Sequence, residues 1–235
     1  MIPIRDTIPR QHFPFAVLVL IAANIVVFIY ELKVPRELTE QFIYLFGLVP
    51  ARFTDPGWAA SVGFPHTYWP FFTTMFLHGG WLHIIGNMWV LWIFGDNVED
   101  RMGPLRFLLF YFLCGLAAGA VHVLTNPGSQ VPAVGASGAI AGVMAAYFVL
   151  FPRARIVAMF PILFYPVFFQ VPAFIYLGFW FLTQFFSGTL AIASQREVSG
   201  IAWWAHVGGF GAGILTFSLF LRPRRMTPAV PSSLA

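Results

Sequence analysis

Long apolar runs separated by short polar breaks dominate this chain, and their lengths predict six membrane-spanning helices. The runs cover about 13–31, 75–95, 104–124, 136–151, 171–187 and 202–221. Gly95-Asp96-Asn97 reads as the stop of the second, Asn126-Pro127-Gly128 of the third and Pro152-Arg153 of the fourth. A polar-aromatic stretch, 32–74, separates the first two runs. Within it, Leu38 to Val49 alternates loosely and fits either an amphipathic piece lying in the interface plane or an ordinary aromatic belt. Segment 156–170 is apolar but interrupted by Pro161 and Pro166, so it reads as an interfacial or irregular connection packed on protein. The first run is longer than the roughly 7–15 residues of a signal core, and no small-x-small cleavage site follows it, so it reads as a retained helix. The expected architecture is all-α: a six-helix polytopic membrane domain over 1–222 and a disordered tail over 223–235, with no internal repeat and no soluble second domain.

Composition agrees with the pattern. Charged residues make up 9% of the chain, against about 25% in soluble domains. A net charge of +4 gives no reason to expect nucleic acid, but its distribution over the loops orients the helices. With both termini in the cytoplasm, nine arginines lie inside: Arg5, Arg10, Arg101, Arg106, Arg153, Arg155, Arg222, Arg224 and Arg225. Four basic residues, Lys33, Arg36, Arg52 and Arg196, then lie outside. The bias favours that orientation. Cys114 stands alone, which excludes an intrachain disulfide, and it reads as a small buried hydrophobe.

This topology brings a set of polar side chains to one depth. His78, His83 and Asn87 fall in the outer half of the second run, Ser137 near the outer start of the fourth, and His206 within the first turns of the sixth. Polar groups in hydrocarbon are costly and usually functional. Ser137 is a candidate nucleophile and His206 its base, a Ser/His dyad, since no Asp or Glu lies within the spans except Glu31 at the end of the first. Something other than an acid must then orient His206. His83 and Asn87, at i and i+4, share a helix face and can donate with the Ser137 backbone amide to an oxyanion. Gly138-x-x-x-Gly142 and Gly209-x-x-x-Gly213 allow close helix approach beside nucleophile and base, and Gly115-x-x-x-Gly119 can serve in the same way. Each residue taken singly has an ordinary explanation, as an intrahelical serine bond or an interhelical contact. Their coincidence at one depth favours peptide hydrolysis. A metal site from His78, His83 and His206 has no carboxylate or thiolate beside it, so neither metal nor cofactor is expected. His12 and His66 read as interfacial, His122 as structural.

The motifs His78-Gly-Gly-Trp-Leu-His83-Ile-Ile-Gly-Asn87, Glu99-Asp-Arg101-Met-Gly103, Gly135-Ala-Ser137-Gly138 and Ala205-His206-Val-Gly-Gly209-Phe-Gly-Ala-Gly213 together resemble the rhomboid family of intramembrane serine proteases. The resemblance runs from the first span to the sixth. It implies Ser137 as nucleophile, His206 as base, and His83, Asn87 and the Ser137 amide around the oxyanion; His78, five residues before His83 and off its face, reads from its position alone as a rim residue. It implies a structural cytoplasmic turn at Glu99, Arg101 and Gly103. It also implies single-pass membrane substrates, cut near the outer boundary, often beside a small residue. They would enter between spans two and five beneath a mobile loop, 188–201. Two positions depart from the family pattern. Pro70 follows Trp69 where an arginine is common, and Ala141 stands where an aromatic often stacks on the catalytic histidine. Two alternatives compete: a rhomboid-fold pseudoprotease that binds transmembrane segments without cutting, and a small transporter using buried His and Asn as a relay. A prokaryotic plasma membrane is the expected location, and no oligomeric state follows from the sequence.

Overall fold

A computed structural model describes residues 1–63, 67–163, 165–194 and 202–223, and these hold ten α-helices, one short 3-10 helix (Thr74–Phe76) and three strands. In order they are β1 (Ile2–Asp6), α1 (Phe15–Glu31), α2 (Arg36–Phe46), α3 (Ala51–Thr54), α4 (Pro56–Ser61), α5 (Pro70–Thr73), α6 (Trp81–Met102), α7 (Pro104–Thr125), α8 (Ser137–Leu150), β2 (Arg155–Ile162), β3 (Tyr165–Pro172), α9 (Ala173–Ser194) and α10 (Trp203–Phe220). His66, the greater part of the tail (224–235) and residues 195–201 lie outside the described residues, whereas 188–194, expected as the start of a loop, continue α9.

The core is α8. Every residue from Gly138 to Tyr147 is buried, because α6, α7, α9 and α10 surround it. Small residues make this possible. A Cβ on Gly209 would overlap the carbonyl oxygen of Gly138, and one on Gly213 that of Gly142, so α10 lies directly on the backbone of α8. The third wall, α7, meets the same glycines through Ala118 and Cys114. Gly115 makes room for Met75 and Ala139, and Gly119 for Phe71 and Leu48, so this pair seats the preceding loop as much as a helix. Outward faces stay apolar: Val26 on α1, Leu124 on α7, Leu190 on α9 and Leu215 on α10 are all exposed. Such faces suit hydrocarbon and would be a liability in water. Among the described residues, two helices are long and apolar enough to cross a membrane by themselves, Pro104–Thr125 and Ala173–Ala193, and two shorter apolar helices are Phe15–Glu31 and Ser137–Leu150.

Three sequence expectations need correction. The fold is mostly helical but not all-α. Segment 156–170 is a regular hairpin, β2 with β3, and β1 adds antiparallel to β2 to complete a three-stranded sheet. Pro161 and Pro166 looked like breakers, yet they sit opposite one another in the ladder. Their missing donors fall at one level, beside an edge strand where proline is tolerated. The helix of the second run also starts later and ends later than 75–95, running through Gly95-Asp96-Asn97 to Met102. Its last turn explains the Glu99-to-Gly103 motif. The Glu99 carboxylate accepts from the amides of Ala16 and Val17 at 3.0 and 2.9 Å, closing the start of α1, where no side chain of its own caps the helix. Asp100 takes the amides of Gln11 and His12. The Arg101 carbonyl accepts from the Arg222 amide and its guanidinium covers the Phe151 ring. Gly103 turns the chain at φ +81°, with Arg222 where a side chain would be. Finally, the stretch 32–74 is largely helical, and its anchor is Arg52. Buried at 2% exposure, that guanidinium donates to the carbonyls of Tyr44 and Leu45. Trp69 also reaches the Leu45 carbonyl, and Pro70 simply starts α5.

Candidate active site

Ser137 is the first residue of α8, and the chain before it is held in place. The Gly135 amide donates to the Thr74 carbonyl at 2.9 Å, and the Thr74 hydroxyl donates to the Ala133 carbonyl at 2.5 Å. Gly135 has φ +130°, and a Cβ there would lie 2.8 Å from Nε2 of His83. Glycine is therefore required twice, for the backbone angle and for the approach of His83.

Across the α8–α10 seam, Nε2 of His206 lies 2.8 Å from Oγ of Ser137. The backbone contact at Gly209 and Gly138 begins one turn below, and it brings a short serine within reach of a histidine on another helix. Nδ1 of His206 lies 2.7 Å from Oε1 of Gln184 on α9. Gln184 was not foreseen from sequence. It supplies the non-acidic orienting group that the dyad requires, and only its depth on an apolar helix could have marked it. Ala141 is fully buried. Ring support comes instead from Trp180 of α9, tilted 38° at 5.8 Å, and from the edge of Trp203 at 6.5 Å.

His83 and Asn87 face Ser137 and His206 across a cavity of about 430 Å³. Nδ1 of His83 accepts from the Gly79 amide at 3.3 Å, so Nε2 carries the ring proton and points it toward Gly135. Nδ2 of Asn87 is buried and has no partner among the described residues. A buried donor placed beside the Ser137 hydroxyl can donate to an acceptor that enters the cavity. The Ser137 amide, at a helix start, has no intrahelical acceptor. Three donors and one activated hydroxyl thus surround one space, an arrangement able to stabilise a tetrahedral oxyanion. His78 is not on the cavity wall. It packs edge-on behind His83 at 5.1 Å, its ring against Phe76's carbonyl and its amide on Glu31. His122 is buried and paired with Asn126, consistent with a structural role. His12 is exposed beside Asp100. Leu82, Val90 and Phe94 of α6, Ile140 and Met144 of α8, and Pro3 of β1 supply apolar wall.

The family model for the rhomboid domain matches residues 65–223, which include Ser137, His206, His83, Asn87 and Gln184. Rhomboid-like protein 11, chloroplastic, of Arabidopsis thaliana is 40% identical over 82 residues, 35% of this chain and 29% of that protein. RHOMBOID-like protein 5 of the same plant is 36% identical over 78 residues, 33% of this chain and 25% of that protein. The mitochondrial presenilin-associated rhomboid-like protein of Mus musculus is 33% identical over 101 residues, 42% and 26% of the two chains. The matches thus span between a quarter and three tenths of these relatives' lengths.

Proposed function

Since the chain belongs to the rhomboid family, a membrane-embedded family, we propose that it is an intramembrane serine endopeptidase hydrolysing peptide bonds in or near transmembrane segments. One observation carries the reading: the 2.8 Å contact between Ser137 and His206 inside a cavity that also holds the Asn87 amide, which has no partner among the described residues. His206 Nε2 takes the hydroxyl proton as Ser137 Oγ attacks the scissile carbonyl. Asn87, the His83 ring N–H and the Ser137 amide receive the developing oxyanion. The imidazolium then returns its proton to the leaving amine, and a water, deprotonated by the same ring, releases the acyl group.

The proposal includes a domain of six spans over 1–222 with a tail over 223–235, both termini on the cytoplasmic side, and single-pass membrane proteins as substrates. The 14 residues of α8 rise about 21 Å, short of the roughly 30 Å hydrocarbon core. Its first residue therefore sits inside the bilayer, where a polar cavity is needed to admit water. Relatives named for chloroplasts and mitochondria give no support to a prokaryotic plasma membrane as the location.

A fluorophosphonate probe and a panel of single-pass substrates in proteoliposomes test the reading. The native chain should label and cleave, and Ser137→Ala and His206→Ala should do neither. A folded native chain that neither labels nor cleaves would instead be a binder of transmembrane segments.

A further inference from the structure

The base of the dyad is the end of a longer hydrogen-bonded chain, and that chain has only one consistent direction. Its far end is the Trp180 carbonyl, which can only accept. The Thr183 hydroxyl, 2.6 Å away, must donate to it. Its single proton spent, Thr183 Oγ1 can only accept from its next neighbour, Nε2 of Gln184 at 3.1 Å. The amide is thereby fixed with Oε1 toward His206, and an oxygen at 2.7 Å accepts only from a protonated Nδ1. Nε2 is then left bare, 2.8 Å from the Ser137 hydroxyl. A flipped amide would set its oxygen against an already committed hydroxyl oxygen, and its NH₂ against Nδ1 of the ring.

Resting on the dyad reading above, we propose that Gln184 and Thr183 are positioning residues that hold His206 in the tautomer able to deprotonate Ser137. Neither touches the reacting atoms. Gln184 does for a neutral relay what a carboxylate does in a triad: it selects the tautomer and ring orientation, without supplying charge. All three relay members, Trp180, Thr183 and Gln184, lie on α9, whereas Ser137 and His206 lie on α8 and α10. Proton transfer therefore depends on the seating of a helix that carries neither reacting group.

The ¹⁵N shifts of His206 test this without reference to catalysis. In [¹⁵N]histidine-labelled protein, with the signal assigned against His206→Ala, the native ring should show a protonated Nδ1 and a bare Nε2. Gln184→Leu should give a mixture of tautomers, lower kcat about tenfold or more and leave KM within twofold. Thr183→Val should show a weaker mixture and lose about threefold, because the amide is then free to flip. Gln184→Glu should keep the Nδ1–H tautomer, retain activity and move the acid limb of the kcat/KM profile to higher pH. A Gln184→Leu protein with the native ¹⁵N pattern, or one whose loss falls on KM alone, would overturn the assignment. A native chain with the Nδ1–H pattern but no labelling by fluorophosphonate supports the assignment while removing the protease reading.

Discussion

The two helices that embrace α8 do so by different means. α10 lies backbone on backbone, with glycine against carbonyl at two successive levels. α9 reaches the same centre only through long side chains: Trp180 and Gln184 to His206, and Phe181 to Phe210 at 4.7 Å. Of its two glycines, Gly178 has nothing nearer a Cβ than Phe148 at 3.8 Å, and Gly188 faces the side chains of Trp203 and Trp204 rather than backbone. Among the described residues no further helix packs beyond α9. It makes no extended contact with α6; the cavity and β1 stand between them. A backbone seam has no rotamers to relax, so it fixes the Ser137–His206 distance, whereas a side-chain seam can loosen without unfolding the core. The proposed nucleophile and base therefore sit on the fixed side, and Gln184, proposed to position the base, sits on the adjustable side.

Gly209→Ala breaks the fixed side and should have the largest effect. The new methyl overlaps a carbonyl oxygen that cannot rotate away, so the cost should reach the upper end of the about 1–3 kcal/mol typical of overpacking, or exceed it. Separating the dyad by about 1 Å would also reduce kcat by about 10²-fold. Gly178→Ala, the same chemistry on α9, should change neither thermal unfolding in micelles nor fluorophosphonate labelling by more than about twofold. Equal effects from the two substitutions would contradict the division into fixed and adjustable seams. Asn87→Ala comes next. It removes a donor from the α6 wall and should lower kcat about 10²-fold with no loss of thermal stability, since the amide has no partner among the described residues to lose. A fall in melting temperature with kcat unchanged would make Asn87 structural.

The fixed side was legible in sequence and the adjustable side was not. Ser137 and His206 stand out as polar residues in apolar runs, and the glycines beside them spell out the close approach. His83 and Asn87 declare a shared face through their spacing of four. Gln184 has no partner at helical spacing that would flag it, because its meaning lies on another helix 22 residues away. Arg52 likewise gives no local sign that its guanidinium holds the carbonyls of Tyr44 and Leu45. The sheet was hidden for a different reason. β2 is apolar at nearly every position, so it lacks the alternation that separates a strand from a buried connection. β1 is five residues with a proline, Pro3, at its one buried position, and nothing within it announces a partner about 150 residues on.

β1 offers the smallest test, on the far flank of the adjustable side. It bridges the two helices that do not meet: Trp89 of α6 donates to the Pro3 carbonyl at 2.6 Å, and Tyr176 of α9 to that of Met1 at 3.4 Å. Its last residue, Asp6, accepts from the Tyr147 hydroxyl of α8 at 2.5 Å. Burial raises the Asp6 carboxyl from its ordinary 3.8 to about 6, with repulsion from Asp96 of α6 adding to the shift and the Tyr147 bond opposing it. The folded strand thus holds a proton that the released strand gives up between pH 4 and 6. Its seating is strongest below the lower value and weakens as pH rises through the upper one. Solvent around a partly exposed group limits the loss to about 1–2 kcal/mol, or about tenfold in local opening. Hydrogen exchange at the amides of Val157 and Ile156, opposite Arg5 and Asp6, should accelerate between pH 4 and 7 by that factor beyond its intrinsic rise. Asp6→Asn, which keeps the acceptor and cannot ionise, should abolish the excess. An identical excess in Asp6→Asn would place the titrating group elsewhere and leave the strand's seating insensitive to Asp6.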